Sequence, residues 1–437
     1  ILAQAFPGDS CFGCLLLLYT HLMGFAKFLS HVCCLHVVVQ GIRHKAVGQV
    51  VRTTPSQEMI QSFNLFVGIH ERQYKADSHE YFARLKHYTR VHYAVLDHNR
   101  KAGRRWNATL NEFSDWSEDE LKQLRGYVRD MHSGGEGSRR SFRKNTVPRA
   151  ANFPQEFNWS HLNAVKAIRN QGICGSCWAI ATGSVLQAHS EIVGINRTFS
   201  TQELVSCVPN PNHCGGTGGC NGATAELAFA YTMKYGLSTI DETPYKATDS
   251  FCPKQAADRM TASLFSGDNI DVQNAMAGAS AFGVHESVSN DLGRVFNMQS
   301  WERLPENDGF TLMTVLTSHG PMVSSVAASH WVTYDAGIFD HCDNVVDHAV
   351  VLVGYGTDVK LKEPYWLIQN SWGPHWGEKG FLRLLRHRNL ADEPCGIDYR
   401  PEDGLACIGG PSEVEVCGEC GLFFDSALPH FHIGDVK

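Results

Sequence analysis

The chain has 437 residues, 43% of them hydrophobic, which is enough for a large core and for more than one folding unit. Its formal net charge is −7, but residues 1–50, 51–150 and 151–437 carry +2, +6 and −15 respectively. The basic residues are spread out without interleaved aromatic residues, so nothing indicates a nucleic-acid partner. A basic segment followed by an acidic one instead predicts an intramolecular attraction that weakens when acid protonates the carboxylates.

The amino-terminal region, residues 1–50, contains an apolar stretch at residues 11–26. Its length suits the core of a signal peptide and is short for a membrane span. Extending the stretch to residue 39 would reach spanning length, but it would bury Lys27 and several histidines. A signal peptide and a signal anchor, which would tether the chain to a membrane, therefore both stay open.

The next region divides into a helical part and a linker. Residues 80–99 form an amphipathic pattern with charged faces, typical of a helix. Residues 133–141 are rich in glycine and serine, and basic residues follow at intervals up to Arg149, so we predict a flexible linker that is open to cleavage. We expect one domain at 51–132, a linker at 133–150 and a second domain at 151–437, with the cleaved chain starting near 148–153.

The segment 171–179, Gln-Gly-Ile-Cys-Gly-Ser-Cys-Trp-Ala, predicts a nucleophile at the start of a helix. From Cys177 to Val193 apolar residues recur at spacings of three and four, and Gly194 follows where a helix would end. Cys177 therefore lies in the first turn, where unpaired backbone amides and the helix dipole stabilise a thiolate. The thiolate is the attacking form of cysteine.

Two later strands offer partners for a nucleophilic cysteine. His348 opens an apolar, β-branched run at 349–355 that predicts a buried strand. Asn370 ends a second such run, 365–369, where its amide can orient the imidazole and Trp372 can shield that hydrogen bond from water. We expect these side chains to meet the cysteine in one site.

These motifs resemble those of papain and the cathepsin L-type cysteine proteases. The resemblance rests on Gln171, the Cys-Gly-Ser-Cys-Trp run, Asp-His-Ala at 347–349 and Asn-Ser-Trp-Gly at 370–373. It extends to the inhibitory propeptides of cathepsin L-like proteases, whose motifs are matched by Glu80, Arg84, Tyr88, Val95, Asn99, Asn111, Phe113 and Asp115, with departures at Val91 and Thr109. Residues 60–430 are covered.

The resemblance implies an α+β, papain-like two-lobed fold preceded by a helical propeptide. A helical lobe built on the Cys177 helix would face a barrel-like lobe across a cleft, with strands near 321–328, 349–355, 365–369 and 380–385. The segments 254–320 and 389–417 are longer than the simplest family members need. We expect both to be surface insertions.

The same resemblance assigns chemical roles and a cleft. The Cys177 thiolate would attack a peptide carbonyl, His348 would transfer protons, Asn370 would orient it, and the Gln171 amide with the Cys177 N–H would stabilise the oxyanion. No metal or organic cofactor is implied. Substrate-binding residues would be Gly175, Gly222, Ala223, Thr224, Ala225, Ala328, Ala349, Trp372 and Asp425.

Asp425 predicts a particular specificity. The resemblance places it at the floor of the pocket for the second residue before the scissile bond. A carboxylate there would pair with arginine or lysine, while the small walls at Ala225, Ala328 and Ala349 would leave room for leucine.

Fifteen cysteines indicate an oxidising compartment. The resemblance implies pairs Cys174 with Cys220 and Cys207 with Cys252, and joins Cys342 to either Cys395 or Cys420, with Cys420 taken here. It assigns no place to Cys214, Cys407 and Cys417. Two C-x-x-C pairs, at 174–177 and 417–420, leave zinc or redox chemistry as a rival interpretation. Asn107, Asn158 and Asn196 are candidate glycosylation acceptors.

The function that follows is a cysteine endopeptidase zymogen that reaches a lysosome or vacuole, or the extracellular space, through the secretory pathway. Its partners would be protein and peptide substrates, its own propeptide and cystatin-like inhibitors, and it would be a monomer. The alternative is a catalytically silent papain-like binding or storage protein. The intact cysteine, histidine, asparagine and glutamine favour the enzyme.

Overall fold

The computed structural model describes residues 55–126, 153–265, 284–286 and 292–432. All the elements below belong to one structural unit that begins at Ser56. The predicted signal segment at 1–50 and the linker at 133–150 lie outside the described residues. Within the described ranges, no helix combines the length and the hydropathy needed to cross a membrane.

The first elements are three capped helices and a short strand. Serine side chains at Ser56, Ser78 and Ser117 each accept a hydrogen bond from a backbone amide in the first helical turn. The first two helices pack against each other through an aromatic cluster that includes Phe63, Tyr81 and Tyr88. The elements are α1 (Gln57–Ile69), α2 (His79–Arg100), β1 (Trp106–Ala108) and α3 (Glu118–Leu124).

The helical half of the following domain is built around one central helix. This helix starts at Cys177 as predicted and ends at Ile192, and nearly all its residues are buried. Gly194 follows with φ of +81°, a conformation that favours glycine. The helices of this half are α4 (Asn163–Lys166), α5 (Cys177–Ile192), α6 (Thr201–Cys207), α7 (Ala225–Tyr235) and α8 (Lys254–Phe265).

The other half is a mixed sheet, to which the described residues contribute ten strands. The strands are β1, β2 (Phe157–Asn158), β3 (Val284–Glu286), β4 (Met298–Arg303), β5 (Met322–Val326), β6 (Tyr334–Phe339), β7 (His348–Thr357), β8 (Pro364–Gln369), β9 (Phe381–Leu385) and β12 (Ser426–Phe431). Their order is β1-β6-β9-β8-β7-β5-β12-β4-β3, with β2 paired to β7, and every pair is antiparallel except β6 with β9. The predicted strands and the α+β class are confirmed.

The strand β1 links the amino-terminal helices to this sheet. It pairs antiparallel with β6, with Trp106 opposite Gly337. Trp106 also packs against Phe339, with ring centroids 4.8 Å apart. The amino-terminal segment therefore extends the sheet of the following domain by one edge strand.

The prediction that 254–320 is a surface insertion is wrong for its second half. The strand β4 lies inside the sheet between β12 and β3, and it buries Met298 and Trp301. The helix α9 (Gly309–Ser318) buries Leu312 and Leu316 against the sheet core. The expectation of an insertion rested on the length of the segment alone. Length does not reveal that β4 pairs with β12, because β12 lies more than 120 residues further along the chain.

The segment 389–417 carries a small sheet of its own. Strands β10 (Cys395–Asp398) and β11 (Val414–Cys417) pair antiparallel, and Val416 is buried beside Val346. The disulfide Cys395–Cys417 joins the two strands where they face each other. Val416 and Cys417 are thus buried, while Cys395 at the start of β10 is exposed.

Five disulfides join the described residues: Cys174–Cys220, Cys207–Cys252, Cys214–Cys407, Cys342–Cys420 and Cys395–Cys417. Cys342 thus pairs with Cys420. The bond Cys214–Cys407 spans 193 residues and ties the helical half to the carboxyl-terminal segment. Among the described cysteines, Cys177 alone is unpaired.

Candidate active site

His348 and Asn370 meet because their strands are neighbours. His348 is the first residue of β7, Asn370 follows directly after β8, and the two strands pair antiparallel. The His348 Nε2 atom donates to Asn370 Oδ1 over 2.8 Å. The ring of Trp372, which is fully buried, lies 5.0 Å from the imidazole between centroids. Trp372 therefore screens this hydrogen bond from water, which strengthens it.

Cys177 faces the same place from the helical half. It is the first residue of α5, and hydrogen bonds from the backbone of Ala349 and Trp178 act on its sulfur. Ala349 directly follows His348 in β7. The start of the central helix and the start of a central strand thus bring the cysteine and the histidine to one point between the two halves.

Gln171 is held beside this point by both halves. Its side chain is fully buried, its Oε1 accepts from the Ser371 hydroxyl over 2.6 Å, and its backbone N–H donates to the Ser371 carbonyl over 2.8 Å. The Nε2 amide is thereby aimed away from Ser371. It donates to the carbonyl oxygens of Leu124 and Cys174 over 2.7 and 2.8 Å. Sequence reasoning missed Ser371, although it lies within the Asn-Ser-Trp-Gly motif.

The end of α3 runs directly over the cysteine. The Cys177 thiol donates to the Arg125 carbonyl over 3.4 Å. The carbonyl of the preceding residue, Leu124, accepts the hydrogen bond from the Gln171 amide. Gly126 has φ of +90°, and a Cβ built there would lie 2.5 Å from the Cys177 sulfur. Only glycine therefore fits at this residue without displacing the chain or the thiol.

Two glycines of the helical half form the other wall of this passage. A Cβ on Gly175 would lie 2.8 Å from the Gly126 Cα, and a Cβ on Gly222 would collide with the Gly126 carbonyl. Gly222 also has a positive φ of +93°. The sequence-based expectation placed both glycines where backbone approaches closely, and here the approaching backbone is the chain's own.

Arg125 also makes a buried ion pair. Its Nε lies 2.6 Å from the Asp347 carboxylate, and the side chains of both residues are only 9% exposed. The second oxygen of Asp347 accepts from the Ala328 backbone amide over 3.0 Å. Asp347 immediately precedes His348, so the amino-terminal segment is tied to the strand that carries the histidine. No sequence signal indicated this pair, because its partners are 222 residues apart.

Burial keeps both reactive groups uncharged in this closed form. Loss of contact with water raises the pKa of the Cys177 thiol to about 12. The same cause lowers the pKa of His348 to about 4, against the opposing hydrogen bond to Asn370. The expected thiolate is therefore not the form present while residues 124–126 cover the sulfur. The helix start alone does not offset complete desolvation.

The small residues expected around the pocket for the second residue before the scissile bond come from both halves. Ala223 and Thr224 precede α7, Ala225 opens it, and Ala328 and Ala349 lie on the sheet side. All five are buried.

Asp425 is buried but not free. Its Oδ1 lies 2.6 Å from Arg303 Nε, and its Oδ2 accepts from the Ser325 hydroxyl over 2.7 Å. The carboxylate expected to pair with a basic substrate side chain thus already has a partner within the chain, because β4 supplies a guanidinium to it. Sequence reasoning missed this partner, since Arg303 is the last residue of a strand that lies in the expected insertion.

The rival metal interpretation does not fit the cysteines. Three members of the two C-x-x-C pairs, Cys174, Cys417 and Cys420, form disulfides with cysteines outside those pairs. Their sulfurs are therefore not available as thiolate ligands.

Comparisons with known proteins agree with this geometry. A model of the papain family cysteine proteases matches residues 153–403. The oryzain beta chain of Oryza sativa subsp. japonica is 32% identical over 308 residues, covering 69% of this chain and 56% of the relative. A cathepsin L-like protein of Caenorhabditis elegans is 31% identical over 314 residues, covering 69% and 79%. The chain thus spans little more than half of some relatives and most of others.

Solved proforms share the fold. The digestive procathepsin L 3 of Tenebrio molitor larval midgut superposes with a TM-score of 0.57 at 21% identity, covering 86% of this chain and all of that one. The proform of the ragweed pollen cysteine protease Amb a 11 gives 0.58 at 21%, covering 87% and 97%. Both structures retain the segment that precedes the protease domain.

Proposed function

Because the chain belongs to the papain family of cysteine proteases and carries a propeptide, we propose that it is an endopeptidase zymogen that hydrolyses peptide bonds through Cys177, His348 and Asn370. The observation that carries this proposal is the 2.8 Å hydrogen bond between His348 and Asn370, at the strand ends that face the first turn of α5. An unpaired cysteine at a helix start, next to an oriented imidazole, is the arrangement that activates a thiol.

The mechanism follows from these positions once the propeptide has left. Water then reaches the site, the proton of Cys177 passes to His348, and the sulfur attacks the carbonyl carbon of the scissile bond. His348 gives the proton to the leaving amine, which leaves an acyl group on the sulfur. The imidazole next takes a proton from water, the hydroxide attacks the acyl carbon, and the thiolate departs. Asn370 holds the ring in the required orientation throughout.

The Gln171 amide supplies the oxyanion donor. It already donates over 2.7 Å to the Leu124 carbonyl, within the range expected between an oxyanion-hole donor and its oxygen. The propeptide carbonyl thus lies where a substrate oxygen would lie. Ser371 fixes the amide through Oε1, so the donor is oriented before substrate arrives.

The closed form explains latency. Residues 124–126 occupy the cleft and keep water from the cysteine. Arg125 also binds Asp347, the residue directly before β7. We propose that acid releases this segment. Residues 51–150 carry +6 and residues 151–437 carry −15, and protonation of carboxylates weakens the attraction between these opposite charges. Five disulfides are typical of a secretory route, and an acidic lysosome or vacuole at its end would permit activation.

Purified precursor tests the proposal by hydrolysis. The wild-type chain, acidified to about pH 5, is expected to cleave a fluorogenic peptide, and Cys177→Ala treated identically is expected to be inactive while it remains folded. Residual hydrolysis by Cys177→Ala above a tenth of the wild-type rate would contradict the assignment of the nucleophile. Inactivity of the acidified, folded wild type would favour the alternative of a silent binding protein.

A further inference from the structure

A buried charge cluster lies between the sheet and the start of α7. Arg303 lies 2.6 Å from Asp425 and 3.3 Å from Glu226, and its other end contacts Glu306 over 2.8 Å. The side chains of Asp425 and Glu226 are 7% and 11% exposed. One guanidinium thus serves two nearly buried carboxylates and a third, more exposed one. The catalytic steps described above use none of these groups.

The cluster is next to the catalytic groups on the sheet side. Asp425 accepts a hydrogen bond from Ser325, and Ser325 is the direct cross-strand partner of Ala349 in β5 and β7. Ala349 follows His348 and contributes to the environment of the Cys177 sulfur. One strand therefore separates Asp425 from the reacting atoms.

The cluster also reaches the helical wall of the cleft. Glu226 is the second residue of α7, which starts three residues after Gly222. Gly222 contacts the propeptide backbone at Gly126. The same charge cluster therefore links the sheet, through Ser325, with the helix that begins just after Gly222.

The charges compete within this cluster. Burial, together with the charge of Asp425, raises the pKa of Glu226. Burial alone would raise the pKa of Asp425 as well, but the Arg303 charge and hydrogen bonds hold it below its ordinary value. Of the two buried carboxylates only Asp425 is then charged at acidic pH, and the Arg303 charge matches it. Without Arg303, two buried carboxylates would face each other with no cation.

We propose that Arg303 determines specificity by occupying the site that a basic substrate side chain would otherwise fill. The pocket for the second residue before the scissile bond then presents a neutral ion pair and the small apolar walls of Ala225 and Ala328. It selects leucine-like side chains and disfavours arginine and lysine. This inference rests on the proposed peptidase function, and it reverses the specificity that a free Asp425 would confer.

The test compares two peptides that differ only in arginine or leucine at that second residue. Arg303→Gln in the activated enzyme is expected to raise the ratio of kcat/KM for arginine over leucine by about tenfold or more, because the unmasked carboxylates gain a partner. Arg303→Lys, which keeps the positive charge, is the matched control and should stay within about threefold of wild type. Adding Asp425→Asn to Arg303→Gln should return the ratio toward wild type.

Guanidinium ion separates this role from a merely structural one. In Arg303→Ala, millimolar guanidinium is expected to suppress hydrolysis of the arginine peptide and to leave the leucine peptide unaffected, since the free ion refills the vacated position. If Arg303 variants do not fold, Asp425→Asn with Arg303 intact must lower the arginine-to-leucine ratio, because it removes the negative charge that offsets Arg303.

An unchanged ratio in folded Arg303→Gln, or in Asp425→Asn where that variant is used, would overturn the inference while the peptidase assignment stands. Failure of the activated wild type to hydrolyse either peptide would instead remove the proposed function itself. Active-site titration with a thiol-alkylating epoxide gives the concentration of competent enzyme in each sample, so the two failures are distinguishable.

Discussion

Replacing Arg125 by alanine should open the zymogen. The Arg125 and Asp347 side chains meet over 2.6 Å with only 9% of each exposed. Removing one partner of such a pair leaves a buried charge without compensation, which costs about 3 kcal/mol or more. Since Asp347 regains water when the propeptide leaves, the cost falls on the closed state alone. The open fraction of the precursor should rise about a hundredfold.

A second ion pair provides the matched control. Arg90 lies 2.6 Å from Glu118 in the same propeptide, but these side chains are 53% and 58% exposed. Surface pairs of this kind contribute about 0–1 kcal/mol. Arg90→Ala therefore removes the same side chain and the same short contact without leaving a buried charge, and its open fraction should change by less than about fivefold.

The assay is the rate at which intact precursor is alkylated at Cys177, because only the open form exposes the thiol. Burial raises the pKa of Asp347 to about 6 in the closed form, above its ordinary 3.8. A carboxyl whose pKa is raised by closure favours the closed state at low pH and opposes it as pH rises through that value. The effect of Arg125→Ala should therefore be larger at pH 8 than at pH 5. Equal alkylation rates for the Arg125 and Arg90 variants would refute the reasoning.

Three further predictions concern other parts of the account. Against the effect of burial, the ion pair with Arg84 lowers the pKa of Glu120 to about 2. The pair should therefore stabilise the precursor by about 1–3 kcal/mol above pH 4.5, and this stabilisation should be lost as the pH falls toward 2. Glu120→Gln should flatten the pH dependence of thermal unfolding between these pH values, and an unaltered profile would contradict the prediction. Gly126→Val should push residues 124–126 away from Cys177, so that the precursor is alkylated at neutral pH. If the precursor stays latent, the residues around the cleft can move to accommodate the larger side chain, which would contradict the prediction. Asn370→Ala should lower kcat about tenfold with a smaller change in KM, because His348 loses one orienting hydrogen bond, and a change in KM alone would contradict that role.

The local parts of the fold could be predicted from the sequence. The period of the apolar residues placed the helix at Cys177, and β-branched runs placed the strands at His348 and before Asn370. These patterns depend on neighbours within one element. For the same reason Cys177, His348 and Asn370 could be selected as candidate site residues without the structure.

The tertiary parts could not be predicted. Arg303 meets Asp425 only because β4 pairs with β12 across more than 120 residues, and Arg125 meets Asp347 only because the propeptide crosses the cleft. Neither contact produces a periodic pattern of apolar residues that could be recognised in the sequence. The uncharged state of Cys177 has the same origin, since desolvation by residues distant in sequence outweighs the helix start.

Identification of the alkylated residue tests the central claim most directly. Folded precursor at pH 7 and acid-activated enzyme are treated with an epoxide that alkylates cysteine-protease thiolates, and the modified peptide is located by mass spectrometry. We predict one label per molecule, at Cys177, in the activated enzyme, with loss of hydrolysis in proportion, and almost none in the precursor. A label elsewhere, or hydrolysis that persists after Cys177 is fully modified, would contradict the account.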